Sequence, residues 1–370
     1  MTTSFSMILV VKSKKVRRKL FLHLRRRLNC VLSVFFFMLI SGCDYGPEII
    51  EISGKKFGTT YRLIIVADQP APADLSEMIE SELNKIDVSM STYKSSSEIN
   101  QFNRLNTNIP FNISEHFASV IEISENIWLE SGGAFEPTIG PLVDLWGFGP
   151  DVKSDKVPSE SDISSAIDAV GFDAISIKVA VTGTTLSKSR PVRLDLSAVA
   201  KGYAVDVLAN LLESYALPDY LIEIGGETRV SGYNPQGKPW RLAIESPGVR
   251  GGVAHIVSMT DGAVATSGDY RNYFELDGKR YSHTIDPKSG YPITHNLASV
   301  SVIADSCAEA DAWATAMMVL GDEKGLELAN ALDLAVYMVL NEGQTLKSSN
   351  SKAFEAYKGP NSEIPSAKEI

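Results

Sequence analysis

Apolar residues recur along this chain at two spacings, and the spacing changes repeatedly. From Ile49 to Val66, IIEISGKKFGTTYRLIIV, β-branched and aromatic residues form two runs around Gly54-Lys55, which predicts a hairpin. Beyond it Leu75, Met78, Ile79, Leu83 and Ile86 follow at three to four residues, the period of one helical face, with Asp74 and Glu77 in a capping-box pattern at the start. A second helix is expected from Ser114 to Ser131, stopped by Gly132-Gly133. Later come a strand at VRLDL (192–196), a helix from about Ala198 to Leu212, and strands at YLIEI (220–224) and WRLAIE (240–245). RNYFEL and KRYSHTI flank Asp277-Gly278 as a second hairpin. A strand SVSVIA (299–304), a helix from about Cys307 to Leu320, a further short helix and a hairpin around Asn341-Glu342-Gly343 close the chain. Strands and helices interleave without strict alternation, an α+β pattern.

Charge divides the 370 residues unevenly. Residues 1–42 carry nine cations (Lys12 to Arg27) and no acid, which leaves 26 basic against 45 acidic residues in the remainder. A body this acidic lacks the basic footprint that a nucleic-acid backbone needs, so no nucleic-acid partner is expected. The basic head precedes an apolar run from Val31 to Ile40, short for a bilayer span and of the right length for an export signal. Ile40-Ser41-Gly42-Cys43 resembles a bacterial lipobox. Residues 1–42 are therefore expected to be a lipoprotein signal peptide, with Cys43 acylated and residues 43–48 a short linker. The functional domain then spans 49–357 and a polar tail 358–370. Cys30 leaves with the signal and Cys43 carries lipid, so Cys307 remains alone and the body folds without a disulfide.

Five stretches hold polar residues that a plain core would not select. MSTYKSSSEINQFN (90–103) and GGAFEPTIGPLVDLWGFG (132–149) mix aromatic residues with Gly, Ser and Thr, a lining suited to a flat aromatic ligand and equally to a loop covering a core. In LDLSAVAKGYAVD (194–206) a strand ends, Ser197 is placed to cap a helix, and Lys201 lies in its first turns, where free N–H groups and an ammonium together favour phosphate. No GxxxxGK[ST] or GxGxxG motif is present. Asp311 and Thr315, four apart on the expected helix, share a face, and hard oxygens of this kind suit Mg²⁺ without by themselves establishing it. YSHTIDPKSGYP (281–292) sets His283 and Asp286 among turn residues, where punctuation and chemistry are both open.

Taken together and in order, MSTY, GGAFEPTIGPLVDLWGFG, LDLSAVAKGYAVD, IGGE, ATSGDYRNYFE, SHTIDPKSGYP and EADAWATA resemble the ApbE family of FAD:protein FMN transferases, over roughly Ile49 to Tyr357. The resemblance implies a mixed fold of mostly antiparallel sheets flanked by helices. It also implies a Mg²⁺-dependent reaction in which FAD is split, FMN is joined through a phosphoester to an acceptor threonine, and AMP leaves. Carried over by position, FAD is contacted by Phe57, Tyr93, Ala134, Phe135, Glu136, Asp195, Lys201 and Ile285. Mg²⁺ is held by the Ala198 carbonyl, Asp311 and Thr315. His283 is the implied base for the acceptor hydroxyl, with Asp286 orienting it or completing the site and Asp269 a reserve candidate. Three positions depart from the commoner family pattern: Glu136 for Asp, Phe57 for Met, and Ala314 where some members have an acid.

Acceptors by resemblance are exported domains or subunits of flavin-dependent electron-transfer systems such as the Na⁺-translocating NADH:quinone reductase. The implied location is the cell envelope, lipid-anchored, with Asp44 pointing to an inner membrane and the body facing the periplasm. Two alternatives use the same residues: a Mg²⁺-dependent FAD pyrophosphatase releasing FMN and AMP, and a flavin-binding lipoprotein without activity. Lys201, His283 and the Asp311/Thr315 pair argue against pure binding, which has no use for a base beside a metal.

Overall fold

A computed structural model describes residues 46–149, 156–181, 183–248, 252–269, 273–276, 278–343 and 345–358; the signal segment and Cys43 lie outside them. In chain order the elements are β1 (Glu48–Lys56), β2 (Thr59–Ala67), α1 (Leu75–Met90), α2 (Glu98–Arg104), β3 (Phe111–Ile113), α3 (Glu115–Glu130), α4 (Gly140–Leu145), α5 (Glu160–Ile167), β4 (Ile175–Ala180), β5 (Gly183–Lys188) and α6 (Ala200–Ser214). There follow β6 (Asp219–Ile224), β7 (Glu227–Ser231), β8 (Trp240–Glu245), β9 (Val253–Met259), β10 (Asp261–Gly268), β11 (Tyr273–Leu276), β12 (Lys279–Ser282), β13 (Leu297–Ala304), α7 (Cys307–Ala331), β14 (Ala335–Glu342) and β15 (Thr345–Asn350).

Eight strands form one sheet in the order β1-β2-β6-β7-β10-β13-β14-β15, and every neighbouring pair is antiparallel. Alternation along the strands divides the core between its two faces. Leu63 and Ile65 of β2 and Tyr220, Ile222 and Ile224 of β6 face the helices, where Ile79 and Leu83 of α1, Phe117 and Ile121 of α3 and Leu208 of α6 meet them. On the opposite face Val66, Val230 and Val264 pack with Trp240, Ile244, Val257 and Met259 of the separate β8–β9 hairpin and with Phe354. β13 serves both faces and is buried along nearly its whole length, as a central strand covered twice must be. A third cluster, Leu142, Trp146, Ile163 and Ile285, anchors the segment after β12.

Several expectations change in detail. The first hairpin turns at Phe57-Gly58, with Lys56 paired to Thr59, rather than at Gly54-Lys55. Gly54 stays in β1 because the Tyr61 ring lies across it; a Cβ there would fall 2.6 Å from that ring. The capping box at Asp74 does not form, and the Asp74 side chain caps nothing, whereas Ser114 does cap α3 by accepting from Phe117 N. VRLDL is not a strand but an irregular segment touching Ile139 through a single bridge at Arg193. Ser197 is not the cap of α6; Val199 holds that position, and Ser197 N donates to Asp195 Oδ1 (2.9 Å). The helix and short helix expected after Cys307 are one element, α7, kinked at Gly321, whose positive φ of 78° is non-helical.

Candidate active site

The N-terminal ends of α6 and α7 pack against each other more closely than side chains would allow. A Cβ on Gly202 would sit 2.2 Å from the Cys307 carbonyl oxygen, so glycine is what permits the approach. Asp206, one turn further along α6, receives the first amides of α7: Cys307 N donates to Oδ1 and Ala308 N to Oδ2, each at 2.9 Å. Arg229 of β7 donates to the same Oδ1 at 2.6 Å, so three donors satisfy this buried carboxylate. A carboxylate at a helix N-terminus is also stabilised by the positive end of the dipole there.

This junction aims Lys201 and Asp311 at one point. Lys201 Nζ lies 2.8 Å from Glu227 Oε1 and 3.5 Å from Asp311 Oδ2, and Gly202 N donates to that Asp311 oxygen at 3.2 Å. Asp311 is only 6% exposed and Glu227 only 4%. The two carboxylates hold the Lys201 ammonium well above its ordinary value, although burial alone pulls it down. Burial and the neighbouring Asp311 push Glu227 up to about 7 despite the ammonium. Glu227 Oε2 has no hydrogen-bond partner. Thr315 lies half-buried one turn along α7 from Asp311, and Ala198 half-buried just before α6.

Glu227 reaches this place because it opens β7 immediately after Gly225-Gly226. Both glycines have positive φ, and Gly225 N donates to the Thr60 carbonyl of the neighbouring hairpin at 3.1 Å. The turn that carries Phe57 therefore lies at the same end of the sheet as Glu227. Sequence reasoning quoted IGGE but did not single out its glutamate, since an acid after two glycines reads as a solvated turn residue.

The remaining expected contacts fall into three groups. Tyr93, 78% exposed, and Asp195 line a cavity of about 150 Å³ with Thr92, Asn103 and Arg193. Ala134, Phe135 and Ile285 are buried, so their side chains serve the core. Glu136 is enclosed by its own scaffold: Thr138 N (2.9 Å) and Oγ1 (2.6 Å) donate to Oε1, while Trp128 Nε1 (3.0 Å) and Phe172 N (3.3 Å) donate to Oε2. Burial raises its pKa against those four donors.

The segment after β12 separates its two polar residues. Asp286 closes a turn: its Oδ1 accepts from Lys288 N (3.0 Å), its backbone N–H donates to Tyr291 O, and its carbonyl accepts from Gly290 N. Trp146 Nε1 fixes that turn by donating to Gly290 O at 2.8 Å. His283 precedes the turn, half-buried, its ring edge-on to Phe148 at 6.3 Å. It stands close enough to Asp269 to pull that acid down, against the larger upward effect of burial. Thus Lys201 and Asp311 meet directly with Glu227, while His283 is held by a different segment.

The family model for the ApbE family matches residues 57–338, most of the described body. The chain belongs to the ApbE family. It is 40% identical over 334 residues to the FAD:protein FMN transferase of Vibrio cholerae, covering 89% of this chain and 98% of that one. The Escherichia coli K12 protein of the same name is 39% identical over 342 residues, with 90% and 97% covered. Among solved structures, the apo flavinyl transferase ApbE of Pseudomonas stutzeri superposes with a TM-score of 0.78 at 41% identity, covering 85% of this chain and 98% of that one. The ApbE protein of Thermotoga maritima gives 0.76 at 28% identity, with 84% and 99% covered.

The donors at the α6–α7 junction fit the Mg²⁺ that the family resemblance implies. They are the buried Asp311 carboxylate, the Thr315 hydroxyl one helical turn along α7 and the Ala198 backbone carbonyl just before α6, all hard oxygens, with no imidazole or thiolate among them. Burial raises the neighbouring Cys307 thiol well above its ordinary value.

Proposed function

We propose that this protein is a Mg²⁺-dependent FAD:protein FMN transferase that attaches FMN through a phosphoester to a threonine of an acceptor protein and releases AMP. The observation that carries the reading is the Lys201 ammonium held between two buried carboxylates at the start of α6, in a chain matching flavin transferases over nearly their full length. A binding module gains nothing from burying two carboxylates against one ammonium, which costs several kcal/mol of desolvation per ion.

The threonine hydroxyl attacks the flavin-side phosphorus. A new P–O bond forms there, the bond to the bridging oxygen breaks, and AMP leaves with that oxygen. His283 takes the hydroxyl proton, a role worth about 10² to 10⁴ in rate. Lys201 stabilises charge spreading over the phosphoryl oxygens. Asp311, Thr315 and the Ala198 carbonyl would hold Mg²⁺, which when bound supplies charge neutralisation at the pyrophosphate. Tyr93 and Asp195 face the cavity where a nucleotide end can rest. The acceptor would be an exported domain or subunit of a flavin-dependent electron-transfer complex. Cys43 would tether the enzyme to the inner membrane with its body in the periplasm.

The test is incubation of the purified protein with FAD, Mg²⁺ and a candidate acceptor domain. Transfer yields a flavin-fluorescent acceptor band that survives denaturation, with one AMP per flavin bound. Free FMN with an unlabelled acceptor would instead make the protein a pyrophosphatase. In the same assay Asp311→Ala should abolish transfer while calorimetry still detects FAD, because aromatic contacts to the flavin do not pass through the metal. Full transfer by Asp311→Ala would remove Asp311 from the site.

A further inference from the structure

Two buried carboxylates, Asp206 within α6 and Glu227 against Lys201 at its start, are satisfied differently. Asp206 takes three donors on its two oxygens, as a purely structural carboxylate should. Glu227 has one strong partner, Lys201 Nζ at 2.8 Å, while its second oxygen is buried without a hydrogen bond. A buried oxygen left unmatched is costly, so a carboxylate retained there calls for a reason other than stability. Lys201 supplies one: it has a second anionic neighbour, Asp311 Oδ2, at the longer distance of 3.5 Å. An ammonium seated on Asp311 would occupy the oxygen and supply the charge that a divalent cation must supply instead.

We propose that Glu227 is a positioning residue that draws the Lys201 ammonium off Asp311 and leaves the Asp311 carboxylate open to a divalent cation. This rests on the reading of Asp311 as a cation ligand. Glu227, Lys201 and Asp311 together carry one net negative charge when all are ionised. Neutralising Glu227 removes that charge and leaves Lys201 with Asp311 as its carboxylate neighbour. Both consequences oppose cation binding at Asp311, although Glu227 need not touch the cation. Deleting the Lys201 charge as well returns the cluster to one negative charge and removes the competitor. Were Glu227 itself a cation ligand, removing the lysine would relieve repulsion but leave the site one oxygen short.

The experiment titrates Mn²⁺, a paramagnetic stand-in for Mg²⁺ at oxygen sites, into the full protein without FAD at pH 8, reading free Mn²⁺ by electron paramagnetic resonance. Thermal melts report folding. Glu227→Gln should weaken Mn²⁺ binding on the order of tenfold. Adding Lys201→Met to that variant should restore affinity to about the parent value, and Lys201→Met alone should bind at least as tightly as the parent. Unchanged affinity in Glu227→Gln, with or without a lower melting temperature, overturns the proposal. Weakened affinity that Lys201→Met does not rescue also overturns it and makes Glu227 a ligand. Should Glu227→Gln fail to fold, Lys201→Met alone still decides: weaker binding than the parent sinks the proposal. Asp311→Ala is the control, since Mn²⁺ binding that does not depend on Asp311 would overturn the cation site itself, whereas loss in that variant with no effect of Glu227→Gln would overturn this inference alone.

Discussion

His283 and Asp286 lie three residues apart and are held differently. The Asp286 carboxylate is engaged by Lys288 N within its own turn, while His283 stands before the turn beside Asp269. Asp286→Ala should therefore cost about 1–2 kcal/mol of stability, the worth of a hydrogen bond to a charged acceptor, and lower melting temperature more than it lowers turnover. His283→Asn should do the reverse, with flavin binding and melting temperature near the parent and transfer reduced about 10²-fold or more. A His283→Asn protein that transfers FMN within a few-fold of the parent would move the search for the base to Asp269. The candidate site was only partly legible in the sequence. Lys201, Asp311 and His283 stood out by the company of other blocks in order. Glu227 did not, because its burial depends on two partners far along the chain. The four donors around Glu136 come from three separate places, Trp128, Thr138 and Phe172, and no local pattern announces them.

Elements were legible where one face decides them and misread where a single contact does. α1, α3 and β6 follow their apolar periods closely. The Asp74 capping box and the VRLDL strand fail because tertiary neighbours, not local preference, set those backbones. The α6–α7 junction turns on one atom that the sequence lacks, a Cβ at Gly202. Gly202→Ala should force the two helix starts apart and cost about 3 kcal/mol, seen as a lower denaturant midpoint with an unchanged slope. The β8–β9 hairpin offers a pH test at the same scale. His255 is buried with its ring 5.2 Å from Tyr337 and 5.4 Å from Phe354, and burial, aided by Lys358, lowers its pKa. A depressed imidazole contributes stability that is present above its unfolded pKa near 6.5 and lost as pH falls through the folded value. His255→Phe should flatten part of the fall in melting temperature on the acid side of pH 6.5. An acid limb identical to the parent would show that His255 is not among the groups forced to charge.

At the scale of the whole molecule the eight-stranded sheet is what assembles the candidate site from distant segments. Its order places β7 between β6 and β10, with β13 beyond β10, so Lys201 from α6 reaches both Glu227 at the start of β7 and Asp311 from the helix after β13. The α+β class was readable from interleaved periods, whereas this strand order was not, because pairing between strands far apart leaves no local mark. The described residues from Pro47 onward form one compact unit, and none of their helices is long and apolar enough to cross a membrane. An acyl chain on Cys43 would act through buried CH₂ groups at about 0.8 kcal/mol each, independently of the fold. In a lipoprotein-processing host, the full-length protein should take up labelled fatty acid and sediment with membranes. Cys43→Ser should lose the label and uncouple from lipidation with the melting temperature of its body unchanged, since Cys307 is the one cysteine among the described residues and is buried in the core. Label retained on the Cys43→Ser protein would refute the lipobox reading and require another attachment point. A destabilised body would show instead that residues before Pro47 belong to the fold.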